Sequence, residues 1–255
     1  MNIPFIKAHG AGNDFLLARD LPDLDFPALA RAICDRTRGV GADGLILFTG
    51  PARIRLFNSD GSEAELSGNG TRCAAALLVA EGAPGDEVTI ETLAGSKRLR
   101  LIERRGGQFV LEMGMARPVW RESQLATSRG VLAVTILDVG NPQCAVLVDD
   151  LEFDWRALGR EIEAHPSFSR RTNVSFARVL DRHTIEARFY ERGAGATLSS
   201  GTGATGAAAA AVGSGRAASP VRVVTQAGDL GVEWRGEEVF LRGPAEITAR
   251  GEYYW

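Results

Sequence analysis

Histidine is scarce in this chain, and so are cysteine and aromatic side chains. The three histidines, His9, His165 and His183, stand far apart among 255 residues, and aromatics make up 7%. His165 precedes Pro166 in "EAHPSFS", which reads as a helix end, and His183 lies in the turn "LDRHT". Each is read as a surface or hydrogen-bonded histidine, so a Ser–His triad lacks support. Cys34, Cys73 and Cys144 are odd in number and widely spaced, with no C-x-x-C and no Cys/His cluster. A disulfide framework and a metal site are therefore not expected. There is no Lys/Arg block, and the net charge is −3, which argues against a nucleic-acid partner. The longest apolar-rich run, "GAAAAAVGSG", is too short and too weakly hydrophobic to span a bilayer. The opening "MNIPFIKAHGAGNDF" has no signal-peptide core or cleavage site. The expectation is a cytoplasmic protein with neither a membrane nor a nucleic-acid partner.

What the chain does have is repetition. "FNSDGSEAELSGNG" (Phe57 to Gly70) aligns with "YERGAGATLSSGTG" (Tyr190 to Gly203), setting Ser67, Gly68 and Gly70 on Ser200, Gly201 and Gly203. A second echo sets "GND" at Gly12 to Asp14 on "GNP" at Gly140 to Pro142. Two echoes in the same order, each about half the chain apart, indicate duplication. In both halves a strand-like run ("ARIRLFNS", "TIEARFYE") precedes the glycine loop. A run of small residues ("CAAALLVAEG", "GAAAAAVGSG") follows it. Gly82 and either Gly213 or Gly215 are the expected helix stops. Alternating strands close each half. The fold class read from this pattern is α+β: two pseudo-symmetric lobes, each a mainly antiparallel sheet wrapped on a central helix. The lobes are placed at residues 1–118 and 119–255, joined near Ala116 to Ser123, with the C-terminal tail free to pack back onto the first. With 45% hydrophobic residues, the chain can fill two cores of ordinary size.

The paired loops suggest chemistry on an anion. A helix N-terminus offers unpaired N–H groups and a partial positive charge, and glycines let a ligand approach the backbone. Were both helix starts to face one cleft, a single carboxylate could be held between them. Ser67 and Ser200 would then flank its α-carbon. On spacing alone, a plain N-cap serine explains either loop equally well. Neither loop carries the Lys-Ser/Thr of a phosphate-binding P-loop, and neither is a dinucleotide fingerprint. No cofactor is expected.

The chain resembles the diaminopimelate epimerase family, cofactor-independent amino-acid epimerases of lysine and cell-wall synthesis, over nearly its whole length. The resemblance rests on "KAHGAGNDF", "DRTRGVGADG" (Asp35 to Gly44), "FNSDGSEAELSGNGTRC", "VGNPQCAVLV", "RTNVSFARV", "YERGAGATLSSGTGATGAAAA" and "LRGPA", in that order. It implies interconversion of LL- and meso-diaminopimelate by two-base proton transfer at the α-carbon, without pyridoxal phosphate. It places Asn13 near the reacting centre, and Asn69 with the amides of Gly68, Gly201 and Thr202 on the reacting carboxylate. Asn58, Asn141, Asn173, Glu191 and Arg192 are implied around the distal amino-acid end, Arg192 forking onto its carboxylate and Glu191 taking its ammonium. Read from the residues alone, Asn58 and Asn141 are turn residues and Glu191–Arg192 a solvated pair. The implied ligand is a small diamino acid, and assembly as a homodimer stays open.

In that family a cysteine precedes each Gly-x-Gly, one thiolate taking the α-proton while the opposite thiol donates one. Here both positions are serine, Ser67 and Ser200. A thiol near pKa 8.5 can be tuned toward neutrality. If a serine lies 4 units higher, forming the base costs roughly 5–6 kcal/mol more, about four powers of ten in rate. Cys73, six residues past Ser67, reads as a buried structural thiol. Gln143 stands where the family usually has histidine, and Ala196 where it has an acidic residue, so several polar positions differ together. Two other readings follow: a related dehydratase or isomerase, and an amino-acid-binding relative without turnover. No base beside either serine is evident from the sequence.

Overall fold

The computed structural model describes residues 1–19, 21–22 and 24–255. It divides into two compact units, Met1–Met113 with Gly243–Trp255, and Gly114–Arg242.

In the first unit the strands are β1 (Asn2–Gly10), β2 (Asn13–Arg19), β3 (Gly44–Phe48), β4 (Ile54–Asn58), β5 (Glu63–Ala64), β6 (Glu87–Thr92), β7 (Gly95–Arg105) and β8 (Gln108–Met115). Its helices are α1 (Phe26–Ile33) and α2 (Gly68–Ala80). In the second unit they are β9 (Val119–Thr127), β10 (Gly130–Asp138), β11 (Pro142–Leu147), β12 (Asn173–Asp181), β13 (Thr184–Glu191), β14 (Gly195–Thr197), β15 (Val221–Thr225) and β16 (Gly228–Arg235), with helices α3 (Trp155–Glu163) and α4 (Gly201–Gly213). The last strand, β17 (Glu238–Tyr254), pairs with β16 through Glu238 to Arg242 and later with β1 through Glu246 to Tyr254.

The duplication inferred from sequence is carried strand by strand. In the first unit β1–β2 is antiparallel, β2–β3 parallel, β3–β4 and β4–β5 antiparallel. In the second, β10–β11 is antiparallel, β11–β12 parallel, β12–β13 and β13–β14 antiparallel. The parallel pair is bridged in each case by a short helix, α1 or α3, as a parallel connection requires. Both short helices open on an aspartate, Asp25 or Asp154, whose carboxylate accepts an N–H three residues on at 3.0 Å. Register agrees to the residue: Leu56 pairs Ala64 and Phe189 pairs Thr197.

The two 13-residue helices α2 and α4 form the interiors. Helix α4 is buried from Gly201 to Ala211 and carries no charge. It lies against β11, β12, β13 and β16 of its own unit, while α2 lies against β1, β2, β6 and β7. Small side chains allow strands to close on every face of such a helix, which is why neither shows a polar stripe. Their ends follow the expected punctuation. Gly82 and Gly215 take φ of +94° and +73°, and the last helical residue of α4 is Gly213. The architecture is α+β, sheet-dominated, with one central helix per unit.

Candidate active site

Both serines are helix N-caps. Ser67 sits at φ −127°, ψ 121° and Ser200 at φ −140°, ψ 125°, and each Oγ accepts the N–H three residues on (Gly70, Gly203) at 3.1 Å. The glycines at those positions are there for close approach. A Cβ on Gly70 would stand 2.8 Å from Leu56 Cδ1, and one on Gly203 would stand 2.7 Å from Phe189 Cδ1. Leu56 and Phe189 occupy equivalent places on β4 and β13, so each helix start is pressed onto the strand that precedes it.

Beyond the cap, the two serines differ. The Ser200 hydroxyl, itself buried, donates to Glu191 Oε1. Glu191 ends β13, and the β13–β14 hairpin turns through Gly193 and Gly195, with φ of +81° and +77°, to bring the α4 start back against it. The resemblance implied a distal-ammonium role for Glu191; in the structure its carboxylate lies on a serine hydroxyl. Asn58, the equivalent residue at the end of β4, instead donates from Nδ2 to Ser62 Oγ at 3.0 Å. Ser67 Oγ has no carboxylate partner among the described residues.

Polar side chains surround each helix start. In the first unit Asn69, 2% exposed, donates from Nδ2 to Asn13 Oδ1 at 3.1 Å. In the second, Asn141 Nδ2 donates to Thr202 Oγ1 at 3.3 Å. Gln143, fully buried, donates from Nε2 to Asn141 Oδ1 at 2.7 Å and to Thr202 Oγ1 at 3.1 Å. Nearby, Asn173 Nδ2 donates to Pro142 O at 2.9 Å, while its Oδ1 accepts Arg192 N–H at 3.0 Å. Arg192 Nη1 donates to Arg170 O at 3.2 Å. Asn141, Asn173, Glu191, Arg192, Ser200, Gly201 and Thr202 thus belong to the second unit; Asn13, Asn58, Ser67, Gly68 and Asn69 belong to the first.

Sequence reasoning passed over a charged cluster behind Asn13. Asp14 accepts Arg36 Nη2 at 2.8 Å and Lys7 Nζ lies 3.0 Å from it, while Asp43 accepts Arg36 Nη2 at 2.8 Å and Asn13 Nδ2 at 2.7 Å. Burial pushes the Asp14 carboxyl up, but the hydrogen bonds and charges of Arg36 and Lys7 together outweigh it and hold it below the usual carboxylate range. The signal was present in "DRTRGVGADG", which contains Arg36 and Asp43 without declaring their partners. Desolvation drives all three thiols, Cys34, Cys73 and Cys144, up to about 12. Cys73 is therefore an inert helix residue, not a substitute acid or base. Among the described residues no group of three or more His, Cys, Asp and Glu is placed to hold a metal ion.

The sequence matches a known family over most of its length. The diaminopimelate epimerase family model matches residues 5–119 and 135–248. The diaminopimelate epimerases of Pelotomaculum thermopropionicum and Moorella thermoacetica are each 40% identical over 274 aligned positions, covering 98% of this chain and 98% of theirs. Among solved structures, a hydroxyproline epimerase from Agrobacterium vitis superposes with a TM-score of 0.78 at 16% identity, covering 99% of this chain and 92% of that one. A phenazine biosynthesis protein of the PhzF family from Bacillus anthracis superposes with 0.75 at 17%, over 100% of each chain. These two likenesses concern the fold. The family model and the full-length relatives establish that this chain belongs to the diaminopimelate epimerase family.

Proposed function

We propose that this chain interconverts LL- and meso-diaminopimelate, with a serine–glutamate pair as one of its two acid–base groups. The observation that carries this reading is the hydrogen bond from the Ser200 hydroxyl to Glu191. A lone serine is a poor base, because its alkoxide is costly to form. With Glu191 accepting the hydroxyl proton, no alkoxide need form at Ser200. The α-proton passes to Ser200 Oγ as the Ser200 proton passes to Glu191 Oε1, and the C–H electron pair stays on the α-carbon, delocalised into the adjoining carboxylate. Ser67 supplies the proton that returns to the other face of that carbon and is left as an alkoxide; it takes a proton from water as Glu191 gives its own up to water. In the meso-to-LL direction the Ser67 alkoxide takes the α-proton while Ser200, reprotonated by Glu191, returns one. Donation by Ser67 is downhill, since a carbanion is a stronger base than an alkoxide.

The remaining roles follow from donor chemistry. The N–H groups of Gly68, Gly201 and Thr202, at two helix starts, suit the reacting carboxylate and its growing negative charge. Asn13 and Asn69 complete that end. Arg192 suits the distal carboxylate, with Asn58, Asn141 and Asn173 as amide partners of the distal amino acid. Glu191 cannot serve fully both as the proton acceptor and as the sole counter-charge of the distal ammonium, so the amide oxygens take the larger share there. The activity belongs to lysine and cell-wall precursor synthesis and needs no pyridoxal phosphate.

Incubation with LL-diaminopimelate, followed by stereochemical separation of the product, tests this reading. Appearance of meso-diaminopimelate is the expected result. Saturable binding of the LL isomer by calorimetry with no meso product would overturn it and leave a diamino-acid-binding protein.

A further inference from the structure

Arg72 of helix α2 is fully buried, and no carboxylate touches it among the described residues. Its Nε donates to Pro244 O at 3.3 Å, its Nη2 donates to Asn69 Oδ1, and its Nη1 has no partner. A buried cation without a counter-ion is costly and needs a reason. Following its one side-chain contact supplies that reason. Asn69 Oδ1 accepts from Arg72, Asn69 Nδ2 donates to Asn13 Oδ1, and Asn13 Nδ2 donates to Asp43 Oδ2. Two amides therefore lie in series between a buried guanidinium and a carboxylate, every bond running from the cation toward the anion.

That ordering settles a question shape alone leaves open. The oxygen and nitrogen of an asparagine amide are nearly the same size, so packing barely distinguishes a side chain from its flipped form. Here reversing Asn69 would set an NH₂ against the guanidinium, and reversing Asn13 would set a carbonyl oxygen against a carboxylate. The second unit shows the contrast. Among the described residues, its equivalent group, Asn141, Thr202 and Gln143, has no ion bonded at either end, and Gln143 Oε1 is left without a partner.

We infer that Arg72 and Asp43 are positioning residues, which lock the amide orientations of Asn69 and Asn13 at the reacting end of the site. The inference rests on the proposed role of those two asparagines in holding the reacting carboxylate. Arg36 and the Asp14 N–H fix Asp43 in turn, at 2.8 and 3.1 Å. Polarisation along the chain strengthens each donor, so losing either ion loosens both amides.

The variants are Asp43→Asn, Arg72→Gln and Arg72→Lys. Asp43 has a side chain 39% exposed, so its variant is the one least able to disturb folding. Two readouts are needed. The first is the ¹⁵N–¹H side-chain amide spectrum of the ligand-free protein, with Asn13 and Asn69 assigned by substitution. The second is turnover and KM with LL-diaminopimelate. In Asp43→Asn the amide pairs of both Asn13 and Asn69 should shift or split into two populations. There kcat should fall at least tenfold while KM moves less than threefold, because the distal contacts are untouched. Arg72→Gln should do the same, and Arg72→Lys should recover part of the loss. Unmoved amide signals of both asparagines in Asp43→Asn would overturn the inference, whether or not the protein turns over the probe. So would a lower melting temperature with unchanged kcat. The spectrum stands without turnover, so a failed epimerase assay and a failed positioning role give different results.

Discussion

At the scale of single residues, the proposed chemistry turns on the two serines that cap the central helices, Ser67 and Ser200. Each serine caps its helix, as the 3.1 Å bonds to Gly70 and Gly203 demonstrate, but only Ser200 has a carboxylate to take its proton, so an alkoxide is costly at Ser67. Introducing thiols by Ser67→Cys with Ser200→Cys should therefore raise kcat, by up to about four powers of ten if the difference in acidity is about 4 units. Stopped-flow or coupled assays of LL-diaminopimelate turnover would measure this. A double variant no faster than the parent would mean that acidity at these positions does not limit the reaction. Thiol labelling gives an independent check. With Cys34, Cys73 and Cys144 buried and held protonated at about 12, the native parent should take up no alkylating reagent at pH 8, and three equivalents once unfolded. Fast labelling of the native protein would contradict the burial described for these thiols.

Asp14 adds a pH dependence at the same scale. Its carboxyl is held below the usual carboxylate range once the bonds from Arg36 and Lys7 outweigh the opposing effect of burial. A depressed carboxylate adds stability above the pKa it has when unfolded, about 3.9, and loses it as pH falls through the folded value. The parent should thus lose more stability than Asp14→Asn as pH falls below about 4, as followed by thermal melts. Parallel loss in the two proteins would contradict the assignment.

At the scale of elements, a strand–hairpin–helix unit occurs twice and sets each serine at a helix start. β4–β5–α2 and β13–β14–α4 share pairing, register and cap geometry. The strand, glycine loop and small-residue helix of each half were legible in the sequence; the short strands β5 and β14 and their register were not. Nor was the meeting of Glu191 with Ser200. Nine residues separate them, a spacing that suggests nothing until the tight hairpin folds the chain back. Asn58, in the equivalent place, is one methylene shorter and turns to Ser62 instead. The pressing of α4 onto β13 gives a further test. Gly203→Ala would put a methyl 2.7 Å from the Phe189 ring and 2.9 Å from Ser200 Oγ, and should destabilise the protein by about 1–3 kcal/mol. Denaturant melts would show it, and an unchanged midpoint would mean the helix start has room to move.

At the scale of the whole molecule, duplication explains both what the sequence conveys and what it conceals. The echo of one half in the other made the α+β fold with its two central helices readable without any tertiary information. The same echo hid the divergence between the halves. Position by position, Asn69 answers to Thr202 and Asn58 to Glu191. The first unit has its amides tethered between ions, and the second has its serine tethered to a carboxylate. Such contacts depend on side-chain length and on charges brought from distant segments, "DRTRGVGADG" among them, which local pattern cannot join. The two copies of one scaffold thus carry unlike side-chain chemistry.

The most direct measurement is α-deuterium uptake by LL-diaminopimelate in D₂O, comparing the parent with Glu191→Gln by mass spectrometry and confirming binding by calorimetry. The parent should incorporate deuterium at the α-carbon, and Glu191→Gln should still bind but exchange at least a hundredfold more slowly. Exchange by Glu191→Gln at the parental rate would contradict the serine–glutamate pair as the base.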